Sequence, residues 1–184
     1  MALERLIRHG SIRARVAFAL AMGEKANTFS SNERVNVMAA AAIQECWRWV
    51  SGEPIRAETL YSLLEQLTLA ETEVTTEKDE ATLFAVQTSV FYAVWQAFRA
   101  ELASGMDIEG GVPNDMAEGS EDVLLQLVEL VQELSNASDG TDDLAEHLSQ
   151  AFPPAHPEDL GAPISRQDVL TIQRKSDDRA THIA

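Results

Sequence analysis

Residues 35–50 read VNVMAAAAIQECWRWV, and such a run has few places to go in a fold. Ala39, Ala40, Ala41 and Ala42 carry the highest intrinsic helix propensity and let neighbouring backbones come close. Wound at 3.6 residues per turn, Val35, Met38, Ala39, Ala42, Ile43, Cys46, Trp49 and Val50 share one broad face, while Gln44 and Arg48 point away. Trp47 falls at the edge of that face. The two indoles of the last turn offer roughly 150–250 Å² each for burial. This segment predicts a core helix.

The remaining apolar spacing is also helical. Residues 3–22 predict an amphipathic helix with a basic face, broken or kinked at Gly10-Ser11. Ser30 and Glu33 have the spacing of a capping box ahead of the core helix, and Ser51-Gly52-Glu53-Pro54 stops it. Residues 57–69 place Leu60, Leu63, Leu64 and Leu67 on one face. Residues 80–103 predict a long helix with Leu83, Phe84, Val90, Phe91, Val94, Trp95, Phe98 and Leu102 as its stripe, and Gln87 as a buried, hydrogen-bonded amide within it. That helix and residues 35–50 are the expected inner pair.

After a linker over 105–119, residues 121–135 turn Val123, Leu124, Leu127, Leu130, Val131 and Leu134 inward. Glu118, Glu121 and Asp122 crowd the start, where the helix dipole favours acid. Asp139-Gly140 marks a turn before a helix over 141–152. Pro153, Pro154, Pro157 and Pro163 then enforce an extended stretch. Ser165 and Asp168 open a short helix to about residue 175, with nine polar, frayed residues after it. The expected architecture is all-α: a single-domain bundle of about six or seven helices over residues 1–152, then a Pro-rich extended segment and short helix over 153–184.

Charge is unevenly placed. The chain carries 30 acidic and 14 basic residues, a net charge of −16. Residues 1–50 hold 7 basic against 4 acidic groups, residues 51–105 hold 3 against 9, and residues 106–184 hold 4 against 17. A polyanion would be repelled by this balance, which argues against a nucleic-acid partner; the acid serves either solubility or a surface for a basic partner. The single cysteine, Cys46, permits no intrachain disulfide and suits a reducing cytoplasm. No run approaches the ~20 apolar residues of a membrane span. Glu4 and the short apolar run after Arg15 argue against a signal peptide.

Catalytic patterns are missing from the sequence: there is no phosphate-binding glycine loop, no HExxH, no CxxC and no GxSxG. His9, His147, His156 and His182 are scattered, and Asp143 with His147 reads as a solvated helix pair rather than a metal site. No cofactor, metal or catalytic residue is expected. Trp47, Trp49, Tyr61, Tyr92 and Trp95 are candidates to line a groove, with Trp49 and Trp95 favoured for the core and Trp47 and Tyr92 for an exposed contact. The best-defined charged surface is the outer face of residues 121–135, where Asp122, Glu129 and Glu133 stack and Glu118 extends the line.

The order of segments resembles a known family. Cys46-Trp47-Arg48-Trp49 closes an alanine-rich helix, and Glu58-Thr59-Leu60-Tyr61 opens the next after a Gly/Pro connection. Together with Val90-Phe91-Tyr92-Ala93-Val94-Trp95-Gln96-Ala97-Phe98 and Val112-Pro113-Asn114-Asp115, they resemble Imm6-type immunity proteins of bacterial polymorphic toxin systems over residues 31–120. The resemblance implies an all-helical, non-catalytic cytoplasmic protein that neutralises a cognate toxin by binding it. An acidic member suits a basic toxin, such as a nuclease. Glu118, Asp122, Glu129, Glu133, Trp47 and Tyr92 are the expected partner contacts. The competing expectation is an acidic helical scaffold or adaptor.

Overall fold

A computed structural model describes residues 2–135, 141–156 and 159–181. Among them lie nine α-helices, one 3-10 turn and no strand. The helices are α1 (Ala2–His9), α2 (Ile12–Asn27), α3 (Glu33–Val50), α4 (Ala57–Leu69), α5 (Glu77–Ala103), α6 (Asn114–Ala117), α7 (Asp122–Ser135), α8 (Thr141–Ala151) and α9 (Arg166–Thr181). The all-α class is as the sequence predicts. The Asp139-Gly140 turn and Pro157 lie outside the described residues.

The inner pair is α2 with α5, and α3 packs beside it. The expected amphipathic helix over residues 3–22 is two helices, and its second half has no solvated face. From Ala14 to Gly23 every side chain of α2 is buried. Short side chains (Ala14, Ala17, Ala19, Ala21) let six other helices close around it, and a helix apolar all round belongs inside. The tightest approach is at Gly23, where a Cβ would run into the Ser89 side chain of α5. Around this pair, α3 and α4 cover one flank of α5 and α7 another, while α8 bridges α1, α2 and α9.

Caps define the starts. Ser11 Oγ accepts from Ala14 N at 3.2 Å and begins α2 after the Gly10 break. Asn32 Oδ1, not Ser30, caps α3 by accepting from Val35 N at 3.2 Å; Ser30 Oγ accepts from Asn32 N instead, so the Ser30–Glu33 box does not form. Ser30 lies two residues too early, and Glu33 is itself the first helical residue. Gly52, at φ 94°, ends α3. The long helix α5 begins three residues before the expected position, because Thr76 Oγ1 accepts from Asp79 N at 3.1 Å. The helix α4 has no side-chain cap of its own; Glu101 Oε1 of α5 accepts from Ala57 N at 2.7 Å and serves in that place.

The polypeptide after α8 returns to the bundle. Ile12 N donates to Asp159 O and Arg13 N to Leu160 O, both at 3.0 Å, which satisfies two of the orphan donors in the first turn of α2. Gly161 has φ 80°, and a Cβ there would strike Ser11. Ile164 is fully buried and donates its N–H to Val50 O at 3.1 Å. The Ser165–Asp168 capping box forms, with Ser165 N on Asp168 Oδ2 at 3.0 Å and Asp168 N on Ser165 Oγ at 3.2 Å. The helix it opens, α9, runs to Thr181, past the expected end near residue 175.

Candidate partner-binding site

The expected acidic contacts are all on the surface. Glu118 closes α6, Asp122 opens α7, and Glu129 and Glu133 follow at seven and eleven residues, which keeps them on one helical face. All four side chains are exposed, as is Gln126 between them. At 1.5 Å per residue, Asp122 and Glu133 are separated by about 16 Å along α7. None of the four contributes to the apolar contact, which α7 makes through Leu124, Leu127, Val128 and Val131.

The two aromatic contacts are not on the surface, and this corrects the expectation that they sit at exposed edges. Tyr92 is 0 % and Trp47 4 % exposed. Trp47 Nε1 donates to Glu24 Oε1 at 3.0 Å, and Arg166 Nε reaches the same oxygen at 2.6 Å, so Glu24 of α2 holds α3 through the indole and α9 through Arg166. Burial raises the Glu24 carboxyl, and Arg166 pulls it back down. Tyr92 is enclosed because its hydroxyl meets a carboxylate brought from 29 residues away. It donates to Glu121 Oε2, accepts from Gln96 Nε2 at 2.9 Å, and has its phenol pushed well above its ordinary range, first by burial and then by Glu121.

Glu121, read from sequence as one of the acids at a helix start, is also the centre of a hydrogen-bond cluster. Its Oε1 receives Arg15 Nη1 at 2.8 Å, Gln96 Nε2 at 3.1 Å and Arg99 Nη1 at 3.3 Å. Arg15, counted in sequence with a basic face, is 5 % exposed. The Arg99 guanidinium also lies 4.9 Å from the Trp95 ring centre, and Trp95 is 5.6 Å from Tyr92. This cluster pins the start of α7, and with it the line of acids, to α2 and α5.

Beside the acidic line runs an open groove between α4, α5 and α7. One cleft of about 930 Å³ has Tyr61 and Leu69 of α4, Phe84 of α5 and Val123 and Gln126 of α7 in its walls. It meets a second of about 600 Å³ at Phe84 and Gln87, where Leu130 supplies the α7 wall. The sequence placed Phe84 in the buried stripe, yet it is 46 % exposed, because it faces the open groove between α4 and α7. Leu102, assigned to the same stripe, is 54 % exposed. Leu69 is 73 % exposed and lies across α4 from Leu60, Leu64 and Leu67, a signal that helical spacing alone makes visible. Of the aromatic residues expected to line a groove, Tyr61 is the one this groove contains. Gln87 is buried as expected, its Nε2 donating to Leu67 O at 3.1 Å and Glu71 Oε1 at 3.0 Å.

Among the described residues, no group of three His, Cys, Asp or Glu is placed to hold a metal ion. His147 Nδ1 donates to the Asp143 carbonyl at 2.8 Å, one turn back on its own helix. No helix among the described residues is long and apolar enough to cross a membrane.

The model of the family described as Immunity protein Imm6 matches residues 14–134. The match runs from the first turn of α2 to the last turn of α7, beyond both ends of the resemblance seen over 31–120, and takes in the buried α2 that the resemblance left out. No curated protein and no solved structure matches the chain. The chain belongs to the Imm6 family of immunity proteins. Such a family implies a cognate toxin as partner.

Proposed function

We propose that this protein neutralises its toxin by direct binding, with its acidic surface set against a basic surface of the toxin, and without catalysis of its own. The observation that supports this most is the exposed line of Glu118, Asp122, Glu129 and Glu133, which no part of the core requires. A basic patch of that extent is what a nuclease presents to nucleic acid, so covering it would block substrate. The complex forms in the cytoplasm, where the fully buried Cys46 thiol meets no oxidant. Trp47 and Tyr92 act from inside, holding the frame.

Each rim charge contributes roughly 0.2–1 kcal/mol, and the four together steer association. The test is to change all four to Lys and co-express the variant with the toxin encoded beside it. Protection should be lost while the melting temperature stays close to wild type, apart from the roughly 0.3–1 kcal/mol of dipole stabilisation that Asp122 supplies to α7. Added salt should slow wild-type association. A quadruple variant that protects cells and associates at an unchanged rate would remove this face from the site.

A further inference from the structure

The groove between α4, α5 and α7 is apolar in its floor and acidic at its edges. Leu69 and Phe84, 73 % and 46 % exposed, are large hydrophobic side chains left in water on one surface. Around them stand Glu65 and Asp115 in the first cleft and Glu71, Glu77 and Glu80 in the second. No Lys, Arg or His is among the described residues lining either cleft. Lys78, the nearest cation in sequence, is turned away over the Phe29 ring, 5.8 Å from its centre.

The polar groups of the floor are already satisfied. Gln87 is tied to Leu67 and Glu71, and Thr88 Oγ1 donates to Phe84 O at 2.8 Å. What remains for an occupant is apolar area and negative charge. On the α7 side, Gln126 lines the cleft and shares a helical face with Asp122, Glu129 and Glu133, so the acidic line is the rim of this groove.

We infer that the groove docks an amphipathic basic helix of the toxin, its apolar stripe on Leu69 and Phe84 and its Lys and Arg side chains against the carboxylates on both edges. The charge complementarity selects that occupant: a neutral apolar helix would leave five lining carboxylates desolvated beside it, and a second copy of this acidic chain would be repelled. The inference rests on direct binding as proposed above and adds the geometry of the contact, an inserted helix rather than a flat charged face.

The test uses the full chain and an amidated 18-residue peptide of Leu and Lys, with Leu at the i, i+3, i+4 and i+7 spacing. A peptide of identical composition, shuffled to break the stripe, is the control. By fluorescence anisotropy near physiological salt, the striped peptide should bind at least tenfold more tightly than the shuffled one. Leu69→Ser with Phe84→Ser should reduce that binding at least tenfold while circular dichroism shows the helical fold kept and the melting temperature falls only modestly, since Leu69 is largely and Phe84 about half exposed. Val37→Ser, at an exposed apolar residue of α3 outside the groove, should leave it unaltered. Equal binding of the two peptides, or full binding by the double variant, overturns the groove. Co-expression with the toxin separates the two readings. A double Ser variant that protects as well as wild type overturns the groove and leaves direct binding standing, whereas a wild-type chain that gives no protection overturns the immunity reading itself.

Discussion

Arg15 and Glu121 meet at 2.8 Å, joining the buried face of α2 to the residue just ahead of α7 across 106 positions of sequence. The Arg15 side chain is 7 % exposed and that of Glu121 27 %, so the pair is largely withdrawn from water. Removing one member strands the other. Glu121→Ala should destabilise by about 3 kcal/mol, since Arg15, Gln96 and Tyr92 all lose a partner. Adding Arg15→Met should recover part of that loss. Urea melts of the two single variants and the double check this through the coupling energy, and simple additivity would mean that the pair contributes no specific interaction.

The three tryptophans should now behave alike. Trp47, Trp49 and Trp95 are 4 %, 6 % and 8 % exposed, and each change to Ala should cost ~3–5 kcal/mol. The edge position read from sequence predicts a smaller loss for Trp47, and burial reverses that. Trp47→Phe should retain most of the packing while freeing Glu24 from the indole, a loss of about 1 kcal/mol. Denaturant midpoints for the four variants are the measurement.

Acid should undo the link between α5 and the start of α3. Hydrogen bonds from Thr76 Oγ1 and from the Ser31 N–H and hydroxyl hold the Asp79 carboxyl at about 2, below its ordinary 3.8. A depressed carboxylate stabilises the fold above its unfolded pKa and loses that contribution as pH falls toward the folded value. Asp79→Asn should therefore be less stable than wild type by roughly 1–2 kcal/mol at pH 7, and the gap should close between about pH 4 and pH 2. Urea titrations at stepped pH give the curve, and a gap independent of pH would refute the assignment.

Cys46 should be silent until the core opens. Its thiol is fully buried on α3, and burial, helped by the neighbouring Glu45, pushes it up to about 12. A thiol-reactive disulfide reagent at pH 8 should label native protein only as fast as it unfolds. Labelling within seconds under native conditions would place Cys46 at the surface.

Local signals carried much of this fold into the sequence. The helix over 57–69 was readable to the residue, because its Leu face and flanking Pro54 are all within a few positions. The apolar faces of α3 and α7 were readable for the same reason. The role of α2 was not. Arg13 and Arg15 mimic a solvated basic face, and only Glu121, folded in from a distant segment, and Gly161 O, which takes Arg13 Nη1 at 2.9 Å, explain why they turn inward. The acidic half of the candidate site was legible as helical spacing on α7. The groove was not, because whether Phe84 is covered depends on where α4 and α7 lie in space, and no spacing within α5 records that.

The first turn of α2 is completed by backbone from residues 159–161, and Arg13 waits 148 positions for its carbonyl. At a ribosome's pace of roughly 5–20 residues per second, the partner arrives about 7–30 s after Arg13 is made. The most enclosed helix of the protein is thus completed by a segment made long after it. A chain that stopped short of residue 159 would leave those donors of α2 without their carbonyls.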